Sequence, residues 1–380
     1  MRSAAAGPVL STRRLNRATL ARQLLLQPSK LDVVSAVEAI GGLQAQEPAS
    51  PYIGLWARLG DFDTATLDSA FAERRLVKGR LMRRTVHIAS ASDYRSLWTA
   101  TQGTLTGARR GDRRDVPEPS LLRELREFGA RFAAQPRALA ELRDRLGERD
   151  GRSADELAWW LRRIHPFVEV PSDVRWSYAR RPLLVDADAW LSSGEWPDPG
   201  AAMEHLVRRY LGAFGPASLA DVARWAGVSV AAIRPGVDAV EAAADLRMYR
   251  AESGRALVDL ADAPLPDEDI AAPPRLLPMW DSTVLAHDDR TRIISDADRP
   301  QIIAPNGDTL PSILVDGFVA GRWWAVAEDG RTRIELEPFR RLSAPDRVAL
   351  EEVADRLARF VAPIEPAVYA RYKRWRKDDA

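Results

Sequence analysis

The stretch HLVRRYLGAFGPASLADVARWAGVSVAAIRPGVDAV, residues 205–240, constrains the fold more than any other part of the chain. Its apolar residues recur at helical spacing on either side of two breaks, GPAS and AGVS. A helix, a short glycine-containing turn and a second helix make a helix-turn-helix. Two strand-like runs, LRMYRAES and RALVDL, follow where such a unit carries its wing.

The same succession occurs twice earlier, at unequal lengths. Apolar residues keep helical spacing from Leu15 to Leu26 and from Leu31 to Ile40, and Gly41-Gly42 stops the second run. SPYIGLWARL reads as helical, and DTATLDSAFAERR opens on an N-cap candidate, Asp63 or Thr64. LVKGRLMRRTVHIAS reads as a basic strand or hairpin, after which SASDYRSLWTAT returns to helix. Past a charged, turn-rich linker at 106–120, three amphipathic helical runs precede HPFVEVPSDVRWSYARRPLLVDADAWL, which alternates around a turn at PSD. From about Pro273 the pattern becomes short strands with Asn-Gly and Asp-Gly turns, and a final amphipathic helix closes the chain. The expected fold is mainly α with β, of the α+β class. Winged helices are expected over 11–115, 116–198 and 199–265, a β-rich domain over 266–342, and a C-terminal helix over 343–380.

Composition narrows the chemistry. Cysteine is absent, which excludes disulfides, thiolate nucleophiles, iron–sulfur clusters and cysteine zinc sites, and fits a reducing cytoplasm. The start of the chain shows no apolar segment of signal-peptide length, and no run reaches the roughly 18 apolar residues of a membrane span. The expected location is therefore cytoplasmic, at the nucleoid, with no membrane partner. The four histidines are scattered without metal-ligand spacing, so no metal is expected. Without a GxGxxG, GxxxxGK[ST] or GxSxG motif, no nucleotide cofactor or serine elbow is expected either.

Net charge is only +1, so the chain carries no global basic signature. Its arginines nevertheless gather where a winged helix meets a phosphate backbone. Lys78, Arg80, Arg83, Arg84 and His87 lie on the first hairpin, Arg109 and Arg110 with Arg113 and Arg114 in the linker, and Arg175, Arg180 and Arg181 on the second wing. HDDRTR adds His287, Arg290 and Arg292 as a candidate surface contact. Duplex DNA is the expected partner. A DNA-binding regulator without catalysis and a protein-interaction module remain alternatives at this point.

GGLQAQEP, residues 41–48, concentrates two of only seven glutamines at i and i+2. Pro48 disfavours helix at Glu47, so the segment reads as a loop after a helix end. If extended, it points Gln44 and Gln46 to one side and Ala45 to the other. Two adjacent amides can hold a water or a sugar oxygen without titrating, or can merely satisfy backbone groups at the helix end. Glu47 is a rival base.

With GLQAQEP leading into GLWARL, then LMRRTVHIAS, LLPMWDSTVLAHDDR and LVDGFVAGRWW in order, the chain resembles the AlkZ/YcaQ family of winged-helix DNA glycosylases from near residue 11 to beyond 340. The resemblance implies a C-shaped array of winged helices around duplex DNA. It also implies excision of alkylated purines, N7-alkylguanine above all, including bulky adducts and interstrand crosslinks. The family's catalytic motif is Gln-x-Gln in the AlkZ branch and Gln-x-Asp in the YcaQ branch, and here it falls on Gln44 and Gln46. Members of the AlkZ branch often protect antibiotic producers from their own DNA-alkylating products. A monomer is expected, since three winged units in one chain can embrace DNA alone.

Overall fold

The computed structural model describes residues 7–105, 115–148, 151–191 and 194–375, so Arg109, Arg110, Arg113 and Arg114 lie outside the described residues. The third winged unit takes the form read from the sequence. Helices Pro199–Phe214, Leu219–Ala226 and Val230–Ala242 precede antiparallel strands Leu246–Ala251 and Ala256–Leu260. Ser218 and Asp221 form a reciprocal capping box at the second helix, and Ser229 caps the third. Gly227 makes the turn between them at φ 78°, a left-handed conformation that glycine adopts without a Cβ penalty. The apolar faces, including Leu206, Tyr210, Phe214, Trp225 and Ile233, close into one core. The strand Val9–Leu10 adds to the wing in parallel beside Arg250 and Ala251.

The first two wings, read from the sequence as two hairpins, join into one sheet. Its order is Leu43–Gln44, Val86–Ser90, Leu76–Arg80, Phe167–Glu169, Leu184–Asp186, antiparallel throughout. At the seam Lys78 sits opposite Glu169 and Gly79 opposite Val168, and the Lys78 ammonium meets the Glu169 carboxylate at 2.9 Å. Both connections carry a pair of left-handed residues: Arg83 and Arg84 at φ 52° and 64°, and Trp176 and Ser177 at φ 60° and 57°.

The β-rich part is a four-stranded antiparallel sheet of Arg331–Pro338, Phe318–Glu328, Ser312–Val315 and Arg275–Leu277, in that order. Its tryptophans Trp323 and Trp324 share a core with Ile53, Leu55 and Phe71 of the first unit and with Leu350 and Leu357 of helix Ala344–Val361. Among the described residues no helix is long and apolar enough to cross a membrane.

Buried ion pairs tie the units together. Arg58 grips both oxygens of Asp281 at 2.9 Å and also donates to the carbonyls of Gln23 and Gly54. Arg22, in helix Thr12–Arg22, holds Asp259 of the third wing at 2.6 and 2.8 Å. Burial opposes the Asp281 carboxylate, yet the adjacent Arg58 charge and hydrogen bonds hold its pKa below the usual range. An Arg58→Ala variant leaves that carboxylate buried and unpaired. The expected loss is about 3–5 kcal/mol in urea unfolding, and a loss under about 1 kcal/mol would show that the pair does not join the units.

Candidate active site

Gln44 ends a two-residue strand, Leu43–Gln44, whereas Gln46 lies in the bend that follows, so the loop read from the sequence holds for Gln46 and is corrected to a short strand at Gln44. Gly41 and Gly42, at φ 76° and 85°, turn the chain out of helix Val33–Ala39. A Cβ at Gly42 would come 3.0 Å from the Ile88 carbonyl, so the close approach needs glycine. The free edge of the first hairpin then supplies backbone partners: Gln44 pairs with His87, and the Ala45 amide donates to the Val86 carbonyl at 2.8 Å. Strand alternation places Ala45 in the core and puts Gln44 and Gln46 together, Gln44 buried at 5% exposure and Gln46 exposed.

The orientation of both amides follows from one neighbour. Arg83 Nη2 lies 2.8 Å from the Gln44 side chain. A guanidinium only donates, so the atom facing it must be the Gln44 oxygen. The Gln44 Nε2 therefore points the other way and donates to the Gln46 oxygen. A directed chain results, from Arg83 through Gln44 to Gln46. It leaves the Gln46 Nε2 donors and a second lone pair on its oxygen for a ligand, and each bond in such a chain polarises the next.

Arg83 is held from the opposite side by the third unit. Its Nη1 donates to the Trp225 carbonyl at 2.9 Å, and a Cβ at Gly227 would come 2.7 Å from the Arg83 Cα. Left-handed backbone at two consecutive arginines costs on the order of 1–3 kcal/mol per residue, and such strain persists where the surroundings impose it. Here the buried bonds to Gln44 and Trp225 impose it at Arg83. Burial, then the charges of Arg224 and Arg290, lower the Arg83 pKa to about 10, so it remains cationic at neutral pH. Beneath it His87 is fully buried, with Nδ1 3.0 Å from the Thr85 carbonyl and Nε2 3.4 Å from Arg83 Nη2. Those partners select the neutral ring with its proton on Nδ1. Burial, then Arg83, push the His87 pKa down to about 3.

Four residues expected at a phosphate surface are interior. Lys78 is paired with Glu169 over the Tyr178 ring, and His87 supports Arg83. His287 faces the Phe214 carbonyl at 3.0 Å, and Arg292 donates to the Pro216 carbonyl at 2.8 Å. For Lys78, His287 and Arg292 a tertiary partner, invisible in the local sequence, takes up the polar group, whereas His87 is satisfied by Thr85 and Arg83 of its own hairpin. Arg80 and Arg84 are half-buried at the hairpin turn, where Arg80 donates to the Arg84 carbonyl, and Arg290 is half-buried, its charge acting on Arg83. Arg180 and Arg181 are exposed, Arg180 at a cavity of about 420 Å³ that Glu47, Trp176, Glu365 and Arg371 also line. Among the described residues no group of three or more histidines and carboxylates is placed to hold a metal.

Glu47, the rival base, is engaged by the C-terminal segment, read from the sequence as part of a helix over 343–380 but here a short 3-10 turn, Ala370–Trp375, beyond helix Ala344–Val361. Arg371 pairs with its carboxylate and Tyr372 donates to it at 3.4 Å, while the Tyr369 hydroxyl meets Ser50 at 2.9 Å. These contacts brace the far end of the glutamine strand. The basic, aromatic run YARYKRWRK was the available sequence signal, but nothing local tied it to residue 47.

The buried histidines carry a pH consequence. An unfolded histidine takes up its proton near pH 6.5, whereas His87 and His287 refuse it until about pH 3. Below 6.5 the unfolded state binds more protons, so stability falls with falling pH. Between pH 6 and 4.5 the expected slope is about 1.4 kcal/mol per pH unit for each of the two histidines. His87→Gln should remove about half of it in urea midpoints measured across that range; an unchanged slope contradicts the neutral, buried His87.

Comparison with curated proteins finds no match. Among solved structures, the Streptomyces sahachiroi DNA glycosylase AlkZ is similar with a TM-score of 0.77 at 20% sequence identity, covering 94% of this chain and 98% of that one. At that identity the likeness is one of fold. A family model for the AlkZ-like DNA glycosylases matches residues 37–360, a span holding the glutamine strand, most of the first unit, the second and third units and the β-rich sheet. The chain belongs to the AlkZ-like DNA glycosylase family.

Proposed function

We propose that this protein hydrolyses the N-glycosidic bond of alkylated purines in duplex DNA, with N7-alkylguanine, bulky adducts and interstrand crosslinks as the substrate class. It acts as a monofunctional, monomeric glycosylase whose winged units embrace the duplex, in repair or in self-resistance to a DNA-alkylating product. The observation that carries this reading is the directed Arg83–Gln44–Gln46 chain, a polar site in which no group titrates near neutral pH.

Alkylation at N7 leaves guanine positively charged and already a good leaving group. Departure of such a base needs no strong acid, which removes the objection to a site made of amides. What the protein must supply is a placed water and a polar frame for the cationic sugar. The free lone pair on the Gln46 oxygen can accept a hydrogen bond from that water, turning its own lone pair toward C1′. The Gln46 Nε2 can donate to a sugar oxygen. Gln44 acts through the relay, since Arg83 holds its oxygen and its nitrogen holds Gln46. A lyase step would need a free amine nucleophile, and the lysine of the first hairpin, Lys78, is buried against Glu169.

Single-turnover excision from duplex DNA carrying N7-methylguanine or a bulky N7 adduct tests the reading, with alkali converting abasic sites to breaks. Absence of breaks on either substrate refutes it. Gln46→Ala and Gln44→Ala should each slow excision by roughly 10²–10³-fold, the scale of a lost preorganised donor. Gln44→Glu separates the relay from simple charge: a carboxylate keeps Arg83 but cannot donate to Gln46. Its rate should fall as for Gln44→Ala, whereas a site needing only negative potential should speed up.

The rate should also be flat from about pH 5.5 to 9. His87 stays neutral down to about 3 and Arg83 stays charged until about 10, so neither changes state in that window. A bell-shaped profile centred near neutrality would point to a titrating base elsewhere.

A further inference from the structure

Two other guanidiniums, from different parts of the chain, act on Arg83 through their charge. Arg224 comes from helix Leu219–Ala226 of the third unit, and Arg290 from the loop that precedes the β-rich strands Ser312–Val315 and Phe318–Glu328. Both lie close enough to Arg83 to lower its pKa. The loop is docked firmly on the third unit: the Asp288 amide donates to Asp221 at 2.8 Å, and His287 faces the Phe214 carbonyl. Arg290 is thus held in place, yet its Nε is buried with no hydrogen-bond partner among the described residues. Arg224, 45% exposed, reaches a carboxylate among the described residues only at Asp288, 3.6 Å away. The charges of Arg224 and Arg299 both act on Arg290, with Asp288 as the opposing acid, and Arg83 is already committed to Gln44 and Trp225.

We propose that Arg224 and Arg290 form a seat for a single backbone phosphate of DNA, beside the nucleotide on which Gln44 and Gln46 act. Its position relative to the lesion rests on the function proposed above; the phosphate contact itself does not. Guanidinium forks match phosphate oxygens in pairs, and a desolvated, unpartnered arginine gains most from an anion. Arg224 adjoins Trp225, whose carbonyl binds Arg83, and Arg83 in turn holds Gln44, so a phosphate bound there would be linked to the amide pair through one guanidinium. Its charge also offsets the Arg83 cation, which otherwise opposes a positive sugar in the transition state.

Binding to undamaged duplex across a salt series tests the contact, using wild type, Arg224→Gln, Arg290→Gln, the double variant and Arg347→Gln, an exposed control on the C-terminal helix. The double variant should flatten the slope of log K against log salt by about one, with affinity lowered about tenfold at low salt, while the control changes neither. An unchanged slope in a folded double variant overturns the seat. Arg224 is exposed, so its single variant keeps the test alive if the double variant misfolds. The place of the seat is read on duplexes with a stable abasic analogue and one uncharged methylphosphonate stepped along the strand. A methylphosphonate adjacent to the analogue should weaken wild type and leave the double variant unaffected. If the sensitive position lies elsewhere, or both proteins lose equally, the placement beside the amides is wrong. These readouts use no excision step, so failure of the proposed reaction and failure of the seat are distinguishable.

Discussion

A single buried guanidinium, that of Arg83, is the contact on which the site depends. It sits in left-handed backbone at the tip of the first hairpin, is bound by the Trp225 carbonyl of the third unit, and holds the oxygen of Gln44. A side chain with donors only gives its partner no choice of orientation, so the direction of both glutamine amides is decided from beneath. His87 completes the support as a neutral ring, since burial beside a fixed cation keeps a second positive charge out. The strained turn, the helix-turn-helix and the glutamine strand are therefore one arrangement.

The surrounding fold explains why such a site stays rigid. The two-residue glutamine strand would not hold its shape alone, but it lies on the edge of a five-stranded sheet made from two wings. Its N-terminal end leaves two left-handed glycines, and its far end is braced by Arg371 and Tyr372 on Glu47. Buried Arg–Asp pairs fasten the N-terminal helices to the third wing and to the β-rich part. Amides cannot be activated by titration, so what a pair of them offers a ligand rests on position. A site of this kind needs a scaffold with little freedom, and the shared cores and buried pairs provide it.

Much of this was legible in residue order, and the departures have physical reasons. The helix-turn-helix at 199–242 and the first hairpin could be read because periodicity, caps and glycine turns are local properties. The same-side placement of Gln44 and Gln46 followed from strand alternation once the segment was taken as extended. What misled was basic charge. Lys78, His87, His287 and Arg292 looked like surface cations, yet all are buried: Lys78, His287 and Arg292 against distant partners, His87 against Thr85 and Arg83 of its own hairpin. Arg224 escaped notice because nothing in ARWAG distinguishes it until the 287–292 loop comes to rest beside it.

By itself the sequence determined the class of fold, the order of its units and the identity of the two amides, because these depend on periodicity, turn chemistry and residue type. Only the tertiary structure decided which way the amides point and which arginines are spent inside the protein. Hydrogen-bond direction and charge burial are properties of neighbours in space, and here Gln44 is oriented by Arg83, about forty residues further along, which is itself held by Trp225, about one hundred and eighty residues beyond Gln44.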